Sequence, residues 1–424
     1  FVLAMWLHES LGWQWVGLCV VCCVIVAALC QSACEVEVIS GRSDAVAKIV
    51  ASCPELRRTF QYPRWAFSTV MQTVFPSFAR EFFGPAPTTT RTLVVTPDGG
   101  TLALEWSPPP ANYSEATPIV FVLHGLGGSG RGSQVQLLCR ALTGAGFQSV
   151  GVTTRAMDDL PLTSPQITTA ISEEDVEHVV NWLRDHRPAA PLYGVGVSMG
   201  GNLLLRYMGR QAAPGPVLGA IAIAPPFQLA KCTPYFEASW FGTLVTKFLQ
   251  RPLRDTFLRH LSEHPDFAWP DTVDRAGLER AIRIRDMEDA FVCPLLGLPE
   301  HTAYWAAADT WPSLRRIRAP TSIVVASDDP IVSPSSHPLE IAVESDHLLL
   351  IRTSVGGHVG WVEGAGRCLD GSFLPRLVQQ LLGATLEVTA SSVPKQENRL
   401  WEQEQRLRMG TVSTGRAAQP SRRS

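Results

Sequence analysis

The residues Gly196-Val197-Ser198-Met199-Gly200 set a serine between glycines at G-x-S-x-G spacing. Alone the pattern is weak, and its surroundings give it meaning. An apolar run, Leu192–Val197, precedes it, and Leu203, Leu204, Tyr207 and Met208 recur at helical spacing after it. That is strand, tight turn, helix, the setting in which a serine hydroxyl stands exposed as a nucleophile. The glycines have a physical reason: in so tight a turn neighbouring Cβ atoms would clash. The plainer alternative is a glycine-rich turn whose serine only caps the next helix.

A serine hydroxyl is a poor nucleophile at neutral pH. It needs a base, and the base needs an acid to orient it. Behind a nucleophile elbow these follow in the order acid, then histidine. Ser327-Asp328-Asp329-Pro330 comes directly after the apolar run Ser322–Ala326, and Gly356-Gly357-His358 follows Leu348–Ile351. Both lie just past the expected C-terminal end of a strand, where α/β sheets place their sites. His358 is the candidate base. Either Asp328 or Asp329 is the candidate acid; Asp329 fits better, because Asp329-Pro330-Ile331-Val332 starts the next loop, and its neighbour is free to cap a turn. The fourth part is an oxyanion hole. His124-Gly125-Leu126-Gly127-Gly128 follows the run Ile119–Leu123, so the backbone N–H groups of Leu126 and Met199 are the candidate donors. Rival glycine motifs fail on spacing. A phosphate-binding loop lacks its lysine, and a dinucleotide fingerprint over Gly194 and Gly196 meets Met199 where it needs glycine. No cofactor and no metal is called for.

These side chains must be positioned by a sheet. Strands are predicted at 93–96, 102–106, 119–123, 149–152, 193–197, 220–224, 322–326 and 348–351, with helical patterns between them. Asp98-Gly99-Gly100 signals a hairpin between the first two. The alternation argues for a doubly wound α/β fold with a mostly parallel sheet. Residues 225–313 break it. They are rich in aromatics, including Phe227, Trp240, Phe257, Trp269, Tyr304 and Trp305, and read as a helical lid insertion or as ordinary extra core. The division expected is an anchor at 11–34, an N-terminal extension at 35–90, a catalytic domain at 91–387 and a disordered basic tail at 388–424. The anchor rests on the stretch between Glu9 and Glu35, which carries no charge and is dominated by Val, Cys, Leu, Ile and Ala. Roughly 20 apolar residues span the hydrocarbon core as one helix. It predicts a transmembrane helix and a single-pass membrane localisation, with an endomembrane such as the endoplasmic reticulum one option; a cleaved signal peptide is the alternative.

Composition sets the outer limits. The 424 residues are 46% hydrophobic and 18% charged, too apolar for a disordered chain. A net charge of −3 gives no electrostatic case for nucleic acid as a partner. Of ten cysteines, six crowd the first 53 residues, which does not fit a disulfide scaffold. Cys19-x-x-Cys22 has no second pair beside it to complete a metal site.

Taken together, HGLGGSG (124–130), GVSMGGNLLLRYMG (196–209), SDDPIVSP (327–334) and GGHVGWVEG (356–364) resemble the YheT-like esterases, family 4 of the AB hydrolases, a group that includes membrane-anchored α/β-hydrolase-domain proteins. The resemblance runs from about Gln72-Thr73 to about Gly364. It implies an α/β-hydrolase fold, a serine hydrolase of the carboxylesterase or lipase kind, and the roles Ser198 nucleophile, Asp329 acid and His358 base. It also implies a lipid ester substrate, an acylglycerol or a phospholipid, and a membrane as partner. The sequence departs from the family around Val70-Met71-Gln72-Thr73 and at Thr153-Thr154-Arg155-Ala156-Met157, which bears on substrate choice. An acyltransferase or thioesterase with the same triad, and a catalytically silent membrane scaffold, are the alternatives.

Overall fold

The structure, a computed structural model, describes residues 31–63, 66, 68–83, 88–363 and 372–390. In chain order the first elements are β1 (Gln31–Cys34), β2 (Val36–Ile39), α1 (Asp44–Ala51), β3 (Phe60–Pro63), α2 (Thr69–Phe83), β4 (Thr90–Val95) and β5 (Thr101–Trp106). Then come β6 (Ile119–Leu123), α3 (Ser133–Gly144), β7 (Gln148–Thr153), α4 (Glu173–His186), β8 (Leu192–Val197), α5 (Met199–Arg210) and β9 (Val217–Ile223). A helical stretch follows: α6 (Leu229–Ala238), α7 (Trp240–Glu263), α8 (Arg275–Arg280), α9 (Ile284–Met287), a π-helical turn at Glu288–Val292, α10 (Cys293–Leu296), α11 (His301–Ala307) and α12 (Trp311–Leu314). The chain closes with β10 (Thr321–Ala326), α13 (Leu339–Glu344), β11 (Leu348–Thr353) and α14 (Phe373–Thr389).

Nine strands form one sheet in the order β2-β11-β10-β9-β8-β6-β7-β5-β4. The strands from β7 to β11 are parallel, and the edges are antiparallel, β2 against β11 and β5 and β4 beyond β7. Side chains alternate between faces with period two, and both faces are apolar. From β6, Ile119, Phe121 and Leu123 enter one core with α4 and α5, while Val120 and Val122 enter another with α1, α3 and α14. A strand buried on both sides reads as an unbroken apolar run, which is why Ile-Val-Phe-Val-Leu was legible as one. From β6 the chain steps to β7 on one side and then crosses to β8 on the other. The C-terminal ends of β6 and β8 therefore flank a topological switch point, the place where such sheets bind ligands.

The single-pass membrane localisation needs correction. Among the described residues no helix is long and apolar enough to cross a membrane. Gln31–Cys34, the end of the expected anchor at 11–34, is a strand that gives its hydrogen bonds antiparallel to β3; residues 11–30 lie outside the described residues. The extension expected at 35–90 contributes β2 to the main sheet, and its α1 packs into the core with α14. At the other end, 388 and 389 continue α14, which closes at Thr389, and the tail from 391 lies outside the described residues.

Candidate active site

Ser198 sits between β8 and α5 at φ 52° and ψ −119°, a backbone conformation that an L-residue with a side chain rarely adopts. Its N–H is held by the Ile223 carbonyl at 2.8 Å. The elbow closes because two flanking residues have no side chain. A Cβ on Gly196 would run into the main chain of Gly200, and one on Gly200 would lie 2.6 Å from the carbonyl oxygens of Leu123 and His124.

Asp329 and His358 arrive from the ends of β10 and β11. Ser198 Oγ donates to His358 Nε2 at 2.9 Å, and His358 Nδ1 donates to Asp329 Oδ2 at 2.8 Å. The carboxylate accepts only, which fixes the imidazole tautomer. Asp329 Oδ1 takes the N–H groups of Ile331 and Val332 at 2.7 and 2.9 Å. The Asp329 side chain is 1% exposed and that of His358 11%. Asp328 does different work: its Oδ1 accepts the Gly357 N–H at 2.8 Å, and its Oδ2 is buried without a partner. Burial, and then the charge of Asp329, raise its pKa to about 6.

The loop after β6 reaches the same place. A Cβ on Gly125 would lie 3.2 Å from Ser198 Cβ. Met199 opens α5, and no hydrogen bond among the described residues takes up its N–H or that of Leu126. An N–H at a helix N-terminus directly after Ser198 suits a developing oxyanion. His124 braces this loop. Its Nδ1 donates to the Gly125 carbonyl at 2.7 Å, and its Nε2 accepts from the Thr154 N–H and hydroxyl at 3.3 and 3.0 Å. Burial pushes its pKa down to about 4, so it is a neutral strut.

The structure brings Ser198, His358 and Asp329 together, with Met199 next in the chain and Gly125 alongside; sequence reasoning missed what holds them. Thr73 Oγ1 accepts the His358 N–H at 3.0 Å, Gln72 Oε1 accepts the Val362 N–H at 2.8 Å, and Gln72 Nε2 donates to Ala66 at 3.1 Å. Thr73 Oγ1 donates in turn to the Thr69 carbonyl at 2.7 Å, and Thr69 donates to the Asp328 carbonyl. One turn of α2 thus clasps both the acid loop and the histidine loop. Gln72-Thr73 stood in the family resemblance, yet nothing in the chain pointed across the 285 residues to His358.

Residues 118–365 match the family described as alpha/beta hydrolase fold. The chain is 26% identical to phospholipase ABHD3 of Mus musculus over 79% of this chain and 80% of that protein. It is 28% identical to the YheT protein of Escherichia coli strain K12 over 69% and 84%, and 28% identical to a monoacylglycerol lipase of Saccharomyces cerevisiae over 60% and 57%. Elbow, switch point and matched span agree: the chain belongs to the alpha/beta hydrolase fold family.

Proposed function

We propose that this hydrolase, an enzyme of the carboxylesterase/lipase type, cleaves the carboxylic ester of a lipid, an acylglycerol or a phospholipid, through an acyl-enzyme on Ser198. The observation that carries the reading is the continuous chain from Ser198 Oγ through His358 to Asp329, at 2.9 and 2.8 Å. Ser198 Oγ attacks the ester carbonyl as His358 Nε2 takes its proton, and Asp329 stabilises the imidazolium. The Leu126 and Met199 N–H groups receive the oxyanion; losing one such donor costs about 3 kcal/mol of barrier. His358 hands the proton to the departing alcohol. It then draws one from a water, whose oxygen attacks the acyl-enzyme, and gives it to Ser198 Oγ as the acid departs. The names of two relatives, a phospholipase and a monoacylglycerol lipase, support a lipid ester as substrate.

The working part is the domain at 91–387, with 225–313 as a lid. Support for the lid lies in a separate apolar cluster that joins its helices to the loop after β7 and against which Met199 is packed. Leu253 of α7 also lies 3.8 Å from where a Cβ on Gly127 would stand. A panel of monoacylglycerol and phospholipid esters tests the whole reading. Ser198→Ala is expected to lower turnover by about 10⁶ and to abolish labelling by a fluorophosphonate. Undiminished hydrolysis by the purified variant overturns it.

A further inference from the structure

Away from the triad, the last turn of α7 and the residue that caps it read His260-Leu261-Ser262-Glu263-His264. His260 is 4% exposed, yet neither ring nitrogen closes a hydrogen bond. A buried polar side chain in that state calls for a missing water or ion. Positions four apart share one face of a helix. Here one ligand atom from each of His260, Glu263 and His264 lies within 4.8 Å of the others. We propose that these three side chains bind a divalent transition-metal ion of the Zn²⁺ kind. Two imidazoles and a carboxylate are borderline ligands that suit Zn²⁺, and three protein ligands leave a fourth position for water.

The surroundings fit a prepared site. The His264 ring is stacked on Phe267, centroids 4.6 Å apart and planes 9° apart, and its carbonyl accepts from Trp269 Nε1 at 2.8 Å. The main chain of Ala156, in the loop after β7, lies beside the His260 ring. Arg259 repels a cation, and Glu263 supplies the charge that offsets it. An ion there would pin the end of α7 to the loop after β7, and it takes no part in the triad chemistry.

The test is a calorimetric titration of Zn²⁺ into the untagged full chain and into His264→Ala, Glu263→Gln and His260→Asn. The N-terminal cysteines are present in all four and cancel from the comparison. The wild type is expected to bind one equivalent more than His264→Ala, or to bind that equivalent at least tenfold more tightly, with Glu263→Gln weakened less. His260→Asn disturbs a buried position; if it does not fold, the partly exposed His264→Ala decides alone. Equal stoichiometry and affinity in wild type and His264→Ala, or no binding by the wild type, overturns the site.

Discussion

Two adjacent aspartates with opposite duties show how much a single position decides. Asp329 turns its side chain to His358 and to two backbone N–H groups, whereas Asp328 holds the Gly357 N–H and leaves one oxygen buried and unpartnered. The sequence favoured Asp329 of this pair for the loop it opens, and its side chain is the one turned to His358. Asp329→Asn is expected to lower kcat by about 10⁴, because an amide no longer holds the right imidazole tautomer. Asp328→Asn is expected to keep most of its activity. Stability separates the two further. The Asp328 carboxyl has its pKa raised to about 6, so the folded state binds a proton that the unfolded chain has released above about pH 4. Wild-type stability from this group therefore falls as pH rises from about 4 to 6, by order of 2–3 kcal/mol. Asp328→Asn abolishes that slope, and urea unfolding at pH 4 and pH 7 measures it. His124 works in the opposite sense. Its pKa is lowered to about 4, so its contribution is whole above pH 6.5 and is lost as pH falls through 4. A difference between wild type and Asp328→Asn that stays constant over this range would remove the carboxyl as the cause.

At the scale of elements, the site is a matter of strand ends plus one helix from outside the expected catalytic domain. The strand ends were legible because β6, β8, β10 and β11 are apolar throughout or nearly so and each runs straight into its loop. The role of α2 was not, because its clasp uses one turn, three side chains and contacts more than 250 residues away. A Cβ on Gly360 would collide with the Gln72 carbonyl, so the histidine loop lies directly against this helix. Thr73 acts through His358 and is a positioning residue. Thr73→Val keeps the shape and loses the acceptor, and is expected to lower kcat by about tenfold to a hundredfold. KM should be nearly unchanged, and Thr73→Ser should restore most of the rate. A Thr73→Val variant that raises KM and spares kcat would place the residue in substrate binding instead. Gln72→Leu leaves the buried Val362 N–H unpaired, at about 1–3 kcal/mol in global stability.

Across the whole molecule, every predicted strand overlaps one in the nine-stranded sheet, and the central order follows from parallel strands with crossover helices. What escaped was non-local. β2 is a four-residue edge strand whose partners lie more than 300 residues on, and β1 sits at the end of a run that sequence alone reads as one apolar helix. The loop carrying Arg155 was read as bearing on substrate choice; the contacts of Arg155 itself are architectural. Arg155 donates to Asp98 in the β4–β5 hairpin and to Asp175 in the first turn of α4, and Ser164 joins the same cluster. The hairpin edge is thereby tied to a helix on the central sheet. The Arg155 and Asp175 side chains are 8% and 6% exposed, so removing the cation strands a buried carboxylate. Arg155→Met is therefore expected to cost about 3–5 kcal/mol of unfolding free energy. Adding Asp175→Leu should recover part of it, since the stranded charge goes too, and the cycle measures the coupling between the pair. Under conditions where the variant remains folded, fluorophosphonate labelling of Ser198 should persist, because the cluster touches none of the triad. A loss below about 1 kcal/mol in urea unfolding would mean that water reaches the cluster and that the hairpin is held by its strand pairing alone.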